Sequence, residues 1–232
     1  MFNNQRYTGS VVHGFMNKVY GWMCAGLGAT AAVSYYLSPD VNPVLLKSLV
    51  SNFFMVIGLF IVQMGIIMYM TWNYARLSYG MMSALFMAFC LLQGITLAPI
   101  LYVYTAASVF YVFLIAAGMF ATMAIYGWFT DSDLSSMSNI LLMGMIGLMI
   151  AGLINFFVQS AAFNLAISCC GVGIFAMMTA YDIQNLKKYS QYGITSPDDA
   201  GKFALLGAIG LYMNLINIFL YLLRIFGEER RR

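Results

Sequence analysis

Ser168-Cys169-Cys170-Gly171-Val172-Gly173-Ile174-Phe175-Ala176-Met177-Met178-Thr179-Ala180-Tyr181-Asp182-Ile183-Gln184-Asn185-Leu186-Lys187-Lys188 is an apolar run that closes on a carboxylate and then on two lysines. Read as a helix, it has the length and composition of a bilayer span, and the lysines mark its water-facing end. At a rise of ~1.5 Å per residue, Asp182 lies roughly 7 Å on the membrane side of Lys187. An ionisable group at that depth is costly, so by default it marks a functional site.

The rest of the chain has the same character. It is 62% hydrophobic, 16% aromatic and only 8% charged, so its main solvent is lipid. At about 20 residues per span and short connections, 232 residues hold about seven spans and leave no room for a separate soluble domain. The expected fold is an all-α integral membrane protein in three parts: a polar N-terminal tail (1–18), a transmembrane domain (19–227) and a charged C-terminal tail (228–232). Net charge is only +3, and no basic run is interleaved with aromatics, so nucleic acid is not an expected partner. Cys24, Cys90, Cys169 and Cys170 sit in apolar segments without CxxC or His pairing, and read as small core residues rather than metal ligands or disulfides. No nucleotide-binding glycine pattern and no Ser-His-Asp arrangement is present. An enzyme, a resident cofactor and an energised pump are therefore not expected.

In chain order the spans run about Val19–Leu37, Phe53–Thr71, Gly80–Tyr102, Ala107–Tyr126, Ile140–Val158, Phe163–Tyr181 and Phe203–Phe226. The first is preceded by a polar segment unlike a cleavable signal peptide, and reads as a signal anchor. The third contains Gln93-Gly94-Ile95-Thr96 and Pro99, which predict a kink satisfied by neighbouring helices. The fifth carries Gly144, Gly147 and Gly152, small residues that let helices approach closely in lipid. Asp131 and Asp133 read as solvated loop acids, and the one long loop runs from Gln184 to Gly201. Basic residues divide almost evenly between the two sides; because early loops usually dominate the bias, a cytoplasmic N-terminus is favoured.

With seven spans, Arg76 at the start of span three and Asp182 at the end of span six share one side. An Asp and an Arg drawn into the edge of a bundle are expected to pair. In span seven, Asn214 and Asn217 stand three apart near the bilayer middle, where amides need partners from the bundle interior.

These segments carry a family pattern. Val19-Tyr20-Gly21-Trp22-Met23, Gly94-Ile95-Thr96-Leu97, Ala117-Gly118-Met119-Phe120, Ala180-Tyr181-Asp182-Ile183-Gln184, and Leu211-Tyr212 through Ile216-Asn217 to Leu222-Leu223-Arg224-Ile225-Phe226-Gly227 together resemble the transmembrane Bax inhibitor motif (Bax inhibitor-1) family over nearly the full length, above all its bacterial inner-membrane members. The resemblance implies a seven-transmembrane-helix bundle with the last helix central. It also implies a pH-sensitive calcium leak, with calcium as permeant ion, governed by two aspartates. The first matches Asp182, which in the family bonds an arginine at the start of the third helix, here Arg76. The second lies in a Leu-Tyr-Leu-Asp-Phe-Ile-Asn pattern, and this chain has Asn214 at its position.

That departure matters because two carboxylates sharing a proton form a sensor near neutral pH, whereas an Asp beside an Asn has no like-charge neighbour. The family's pH sensing and any cation site needing two negative charges are thereby put in question. Two other classes were weighed. Tyr181-Asp182 is similar to a motif of intramembrane aspartyl proteases, but their chemistry needs a second intramembrane acid, and Gly207-Ala208-Ile209-Gly210 supplies none. The stronger rival is a non-conducting interaction protein, since the family is also linked to regulation of membrane proteases and of cell-death or stress pathways.

Overall fold

The computed structural model describes residues 2–192 and 196–230. Its helices are α1 (Phe2–Tyr36), α2 (Pro43–Ser51), α3 (Phe53–Trp72), α4 (Tyr79–Leu97), α5 (Ile100–Val103), α6 (Ala106–Phe129), α7 (Ser138–Val158), α8 (Ala161–Tyr192) and α9 (Pro197–Phe226), with a 3-10 turn at Leu134–Met137. Among the described residues the only β pairing is an isolated bridge between Tyr104 and Glu229. The protein is an all-helical integral membrane protein. Six segments are long and apolar enough to cross a bilayer: Phe54–Trp72, Tyr79–Val103, Ala106–Phe129, Leu134–Val158, Ala161–Gln191 and Asp198–Phe226.

The expected seventh span, Val19–Leu37, is not among the six. It lies within α1, which is 35 residues long, but Gly, Tyr, Trp, Ser and Thr interrupt its apolar residues and lower its hydropathy. That helix begins at Phe2, so it also runs through the segment read as a polar tail. The expected long loop after Gln184 is mostly helix, because α8 continues to Tyr192 and α9 starts at Pro197; Gly193, Ile194 and Thr195 lie outside the described residues, as do Arg231 and Arg232 of the tail. α9 starts where it does for a local reason. Ser196 Oγ accepts the Asp199 amide proton at 3.1 Å and donates to the Asp199 carboxylate at 2.8 Å, and proline occupies the first helical position. The kink expected in span three is the break between α4 and α5 at Ala98-Pro99.

The chain divides into two compact units. The first comprises Met1–Thr105, Ser190–Ile209 and Glu229–Arg232. Here α1 packs on α4, and Gly26 and Gly94 let them close: a Cβ on Gly94 would lie 2.7 Å from the Thr30 carbonyl oxygen, and one on Gly26 2.7 Å from Cys90 Sγ. Thr30 and Ser34 hydroxyls donate to the Cys90 and Gly94 carbonyls at 2.9 and 2.7 Å, a polar seam that suits lipid, where the free groups would have no water. α3 is joined to α4 by Gln63 Nε2 donating to Thr96 Oγ1 at 3.1 Å. The start of α9 is held by the α3–α4 link: Lys202 pairs with Asp198 at 3.1 Å and lies over Tyr74, whose ring also meets Phe203. The tail is tied down as well, with Arg230 bonded to the Val103 carbonyl and to Asp40, each at 2.8 Å.

The second unit comprises Ala106–Tyr189 and Gly210–Glu228. Val112, Ala116, Phe120 and Ala124 recur every fourth residue as the buried face of α6. Gly127, one turn further, lies against the backbone of Ala180 on α8, close enough that a Cβ would sit 2.7 Å from the Ala180 Cα. The glycines singled out on α7 behave otherwise. Gly144 faces Ile174, but Gly147 and Gly152 have open space where a Cβ would go, so they are not approach points. Nor are the cysteines all core: Cys90 is buried, whereas Cys24, Cys169 and Cys170 are free thiols on exposed helix faces. α9 differs from the other five spans in its surroundings, with 61% of its apolar window buried against 11–33% for them. It is apolar nearly all round, the pattern of a helix enclosed by protein.

Candidate functional site

Asp182 stands ten residues before the end of α8 rather than at its membrane exit. Gln, Leu and Lys after it are good helix formers. Their side chains also hold the extension to the α6–α7 link. Gln184 accepts the Leu134 amide proton at 2.9 Å and donates to the Ser132 carbonyl at 2.8 Å. Lys187 donates to the Trp128 carbonyl at 2.8 Å and lies over the indole ring, and Lys188 pairs with Asp133 at 2.6 Å. Asp133 is thus an exposed acid with a partner. The Lys188 ammonium, helped by the Ser135 amide, holds its carboxyl down at about 2. Lys187 is engaged elsewhere, so the helix-end pair Asp182–Lys187 does not form.

On the other side of Asp182 is α9. Asn214 Nδ2 donates to Asp182 Oδ2 at 2.7 Å, and Asn214 is buried. Gly210, one turn earlier, leaves the carboxylate room, with a Cβ there reaching Oδ2 only at 3.6 Å. Asn214 lies within two residues of the middle of the Asp198–Phe226 span. Asp182 therefore sits deeper than the apolar-to-charged boundary on its own helix suggests, because the long extension of α8 moves that boundary away from the bilayer surface. Asn217 donates back to the Met213 carbonyl at 2.8 Å, leaving its Oδ1 outside the pair. Arg76 is exposed on the α3–α4 turn of the first unit, its amide bonded to Asn73. Of the four residues marked in the sequence, the structure thus brings Asp182 and Asn214 together and puts Asn217 one turn along the same helix.

The amide is a versatile partner for a carboxyl group. Its N–H donates to a carboxylate, and after a flip its oxygen accepts from a protonated acid. Asn214 can therefore satisfy Asp182 in both protonation states, which a second carboxylate cannot do. Among the described residues no three His, Cys, Asp or Glu side chains are gathered as a metal site.

A family model described as "Inhibitor of apoptosis-promoting Bax1" matches residues 12–231, all the spans included. The chain belongs to the Bax inhibitor-1 family. Similar relatives include "Inner membrane protein YbhL" of Escherichia coli (strain K12), 41% identical over 93% of this chain and 92% of that protein. Proteins of Deinococcus radiodurans (37% identical, covering 97% of this chain and 95% of that protein) and Borreliella burgdorferi (35%, covering 93% and 92%) are also similar.

Sequence reasoning missed the glycines that set the site, Gly127 and Gly210. It also missed the continuation of the Asn214–Asn217 stripe to Tyr221 and Arg224. The 3-4-3 spacing of those four residues was visible, but only the amides drew notice.

Proposed function

We propose that this protein is a bacterial inner-membrane cation leak, with calcium as the permeant ion and Asp182 as the charged group of its path, acting without a catalytic step or a resident cofactor. The observation that carries the reading is the Asp182–Asn214 hydrogen bond at the middle of α9's span, since a carboxylate held there is costly unless it serves ions or protons. The greater burial of α9 supports a seven-helix arrangement with α1 as the additional span and α9 at its centre. The YbhL relationship supports the inner membrane as the location.

Arg76 is the proposed counter-charge of Asp182 in a closed state, an assignment that rests on the sequence pattern. Because Asn214 partners either protonation state, the leak should respond to pH less near neutrality than one gated by two carboxylates. The test is calcium uptake by liposomes containing purified protein. Wild type should conduct, and Asp182→Asn and Arg76→Gln should each raise the leak by freeing the closed state. Protein-free rates from a correctly inserted wild type would instead favour a non-conducting regulator of another membrane protein, such as a protease.

A further inference from the structure

Gly210, Asn214, Asn217, Tyr221 and Arg224 fall within an arc of about 80° on α9, so they form one straight stripe. Gly171, Phe175, Met178 and Asp182 form the matching stripe on α8. The contacts fix their register within the second unit. Asp182 meets Asn214 at one end, and Tyr221 meets Phe175 and Gly171 at the other. From Gly210 to Arg224 the stripe runs about 21 Å, some two-thirds of a ~30 Å hydrocarbon core.

Its polar groups are interrupted once. The Tyr221 ring lies directly on Gly171, where a Cβ would come within 2.6–2.7 Å of three ring atoms. It stacks on Phe175 with centroids 5.9 Å apart, and the Arg224 guanidinium stands 5.4 Å from its centroid. Gly171 is thus the only kind of residue that lets the ring seat there. Arg224 is exposed, and among the described residues it forms no ion pair, so its charge is not cancelled by a neighbouring carboxylate.

We propose that Tyr221, seated on Gly171 and carrying Arg224 on its ring, closes the α8–α9 seam at the end remote from Asp182, and that the Arg224 charge limits cation passage there. The inference rests on the leak reading for its ion, but the closure is a separate device and is tested separately. A fixed charge acts on a passing ion in proportion to that ion's own charge, so the Boltzmann factor for a divalent cation is the square of that for a monovalent one. A packing defect has no such signature.

The experiment measures potassium and calcium flux through full-length protein in liposomes. In parallel, labelling of Asn217→Cys by a charged, water-soluble thiol reagent is mapped by mass spectrometry to separate it from the native cysteines. Arg224→Gln should raise potassium flux about threefold and calcium flux about tenfold, as the square relation demands, while Arg224→Lys stays at the wild-type level. Tyr221→Ala should raise both fluxes and increase labelling at position 217 severalfold. Gly171→Ala, which lifts the ring, should act in the same direction. Equal factors for the two ions in Arg224→Gln would overturn the charge role. If wild type leaks in an Asp182-dependent way but the Tyr221 and Arg224 variants match it in flux and labelling, the closure is wrong and the leak reading stands. Labelling that rises in Tyr221→Ala without flux in any variant would support the closure and overturn the leak, and no change in either readout would overturn both.

Discussion

Gly127→Ala adds one methyl group at the closest backbone approach in the second unit. The new Cβ would lie against the Ala180 carbonyl oxygen, 2.7 Å from its Cα and 2.9 Å from its carbonyl carbon, where ordinary contact is 3.4–4 Å. Those atoms are backbone and have no rotamer to escape into, so α6 and α8 must separate by roughly 0.7–1.3 Å or unwind locally. Overpacking of this size costs about 1–3 kcal/mol. For a chain of this length that corresponds to a melting temperature lower by about 2–10 °C. Gly118→Ala is the matched control on the same helix, because nothing lies within 4 Å of its Cβ position. The assay is thermal unfolding of both variants and wild type in one detergent. Gly118→Ala should melt with wild type or slightly above it, since alanine is the better helix former. If Gly127→Ala melts with Gly118→Ala, the close approach of α6 and α8 is not as described, and the placement of Asp182 that depends on it loses its support.

Asn214→Asp puts a second carboxylate 2.7 Å from the first, where the pair must share a proton, so calcium flux measured from pH 5 to 8 should gain pH dependence nearer neutrality; a profile identical to wild type would mean that gating lies elsewhere. Gln184→Ala removes the acceptor of the buried Leu134 amide and the donor to Ser132, and should lower unfolding stability by about 1–3 kcal/mol, with faster amide exchange at Leu134 as the local signature. For Asp133 the folded carboxyl titrates at about 2, below the unfolded value near 3.9, so its favourable pairing is complete above pH ~4 and is lost as pH falls through about 2. Lys188→Met should therefore raise the Asp133 titration midpoint, read by isotope-edited NMR, while leaving the melting temperature flat between pH 5 and 8; an unchanged midpoint would rule out the Lys188 cause.

The membrane class, most span positions, the break at Pro99 and the importance of Asp182 were legible in the sequence because each rests on local chemistry. Lipid demands long apolar helices, proline removes an amide donor, and a charge in an apolar run is costly wherever the run ends up. The extent of α8 and the depth of Asp182 were not, because Lys187 and Lys188 looked like the water-facing end. They stay helical through bonds to Trp128, Asp133 and Ser135, more than fifty residues away in the chain. Among the glycines, composition could not separate Gly127 and Gly171, which sit under another helix or ring, from Gly147 and Gly152, which face open space. A glycine's value in a membrane helix depends on what lies opposite it, and that is decided only when the helices pack. The same holds for Asn214. The sequence marked it as a departure from an aspartate, and the tertiary structure made it the hydrogen-bond partner of Asp182, because only packing α8 against α9 brings residues 32 positions apart within 2.7 Å.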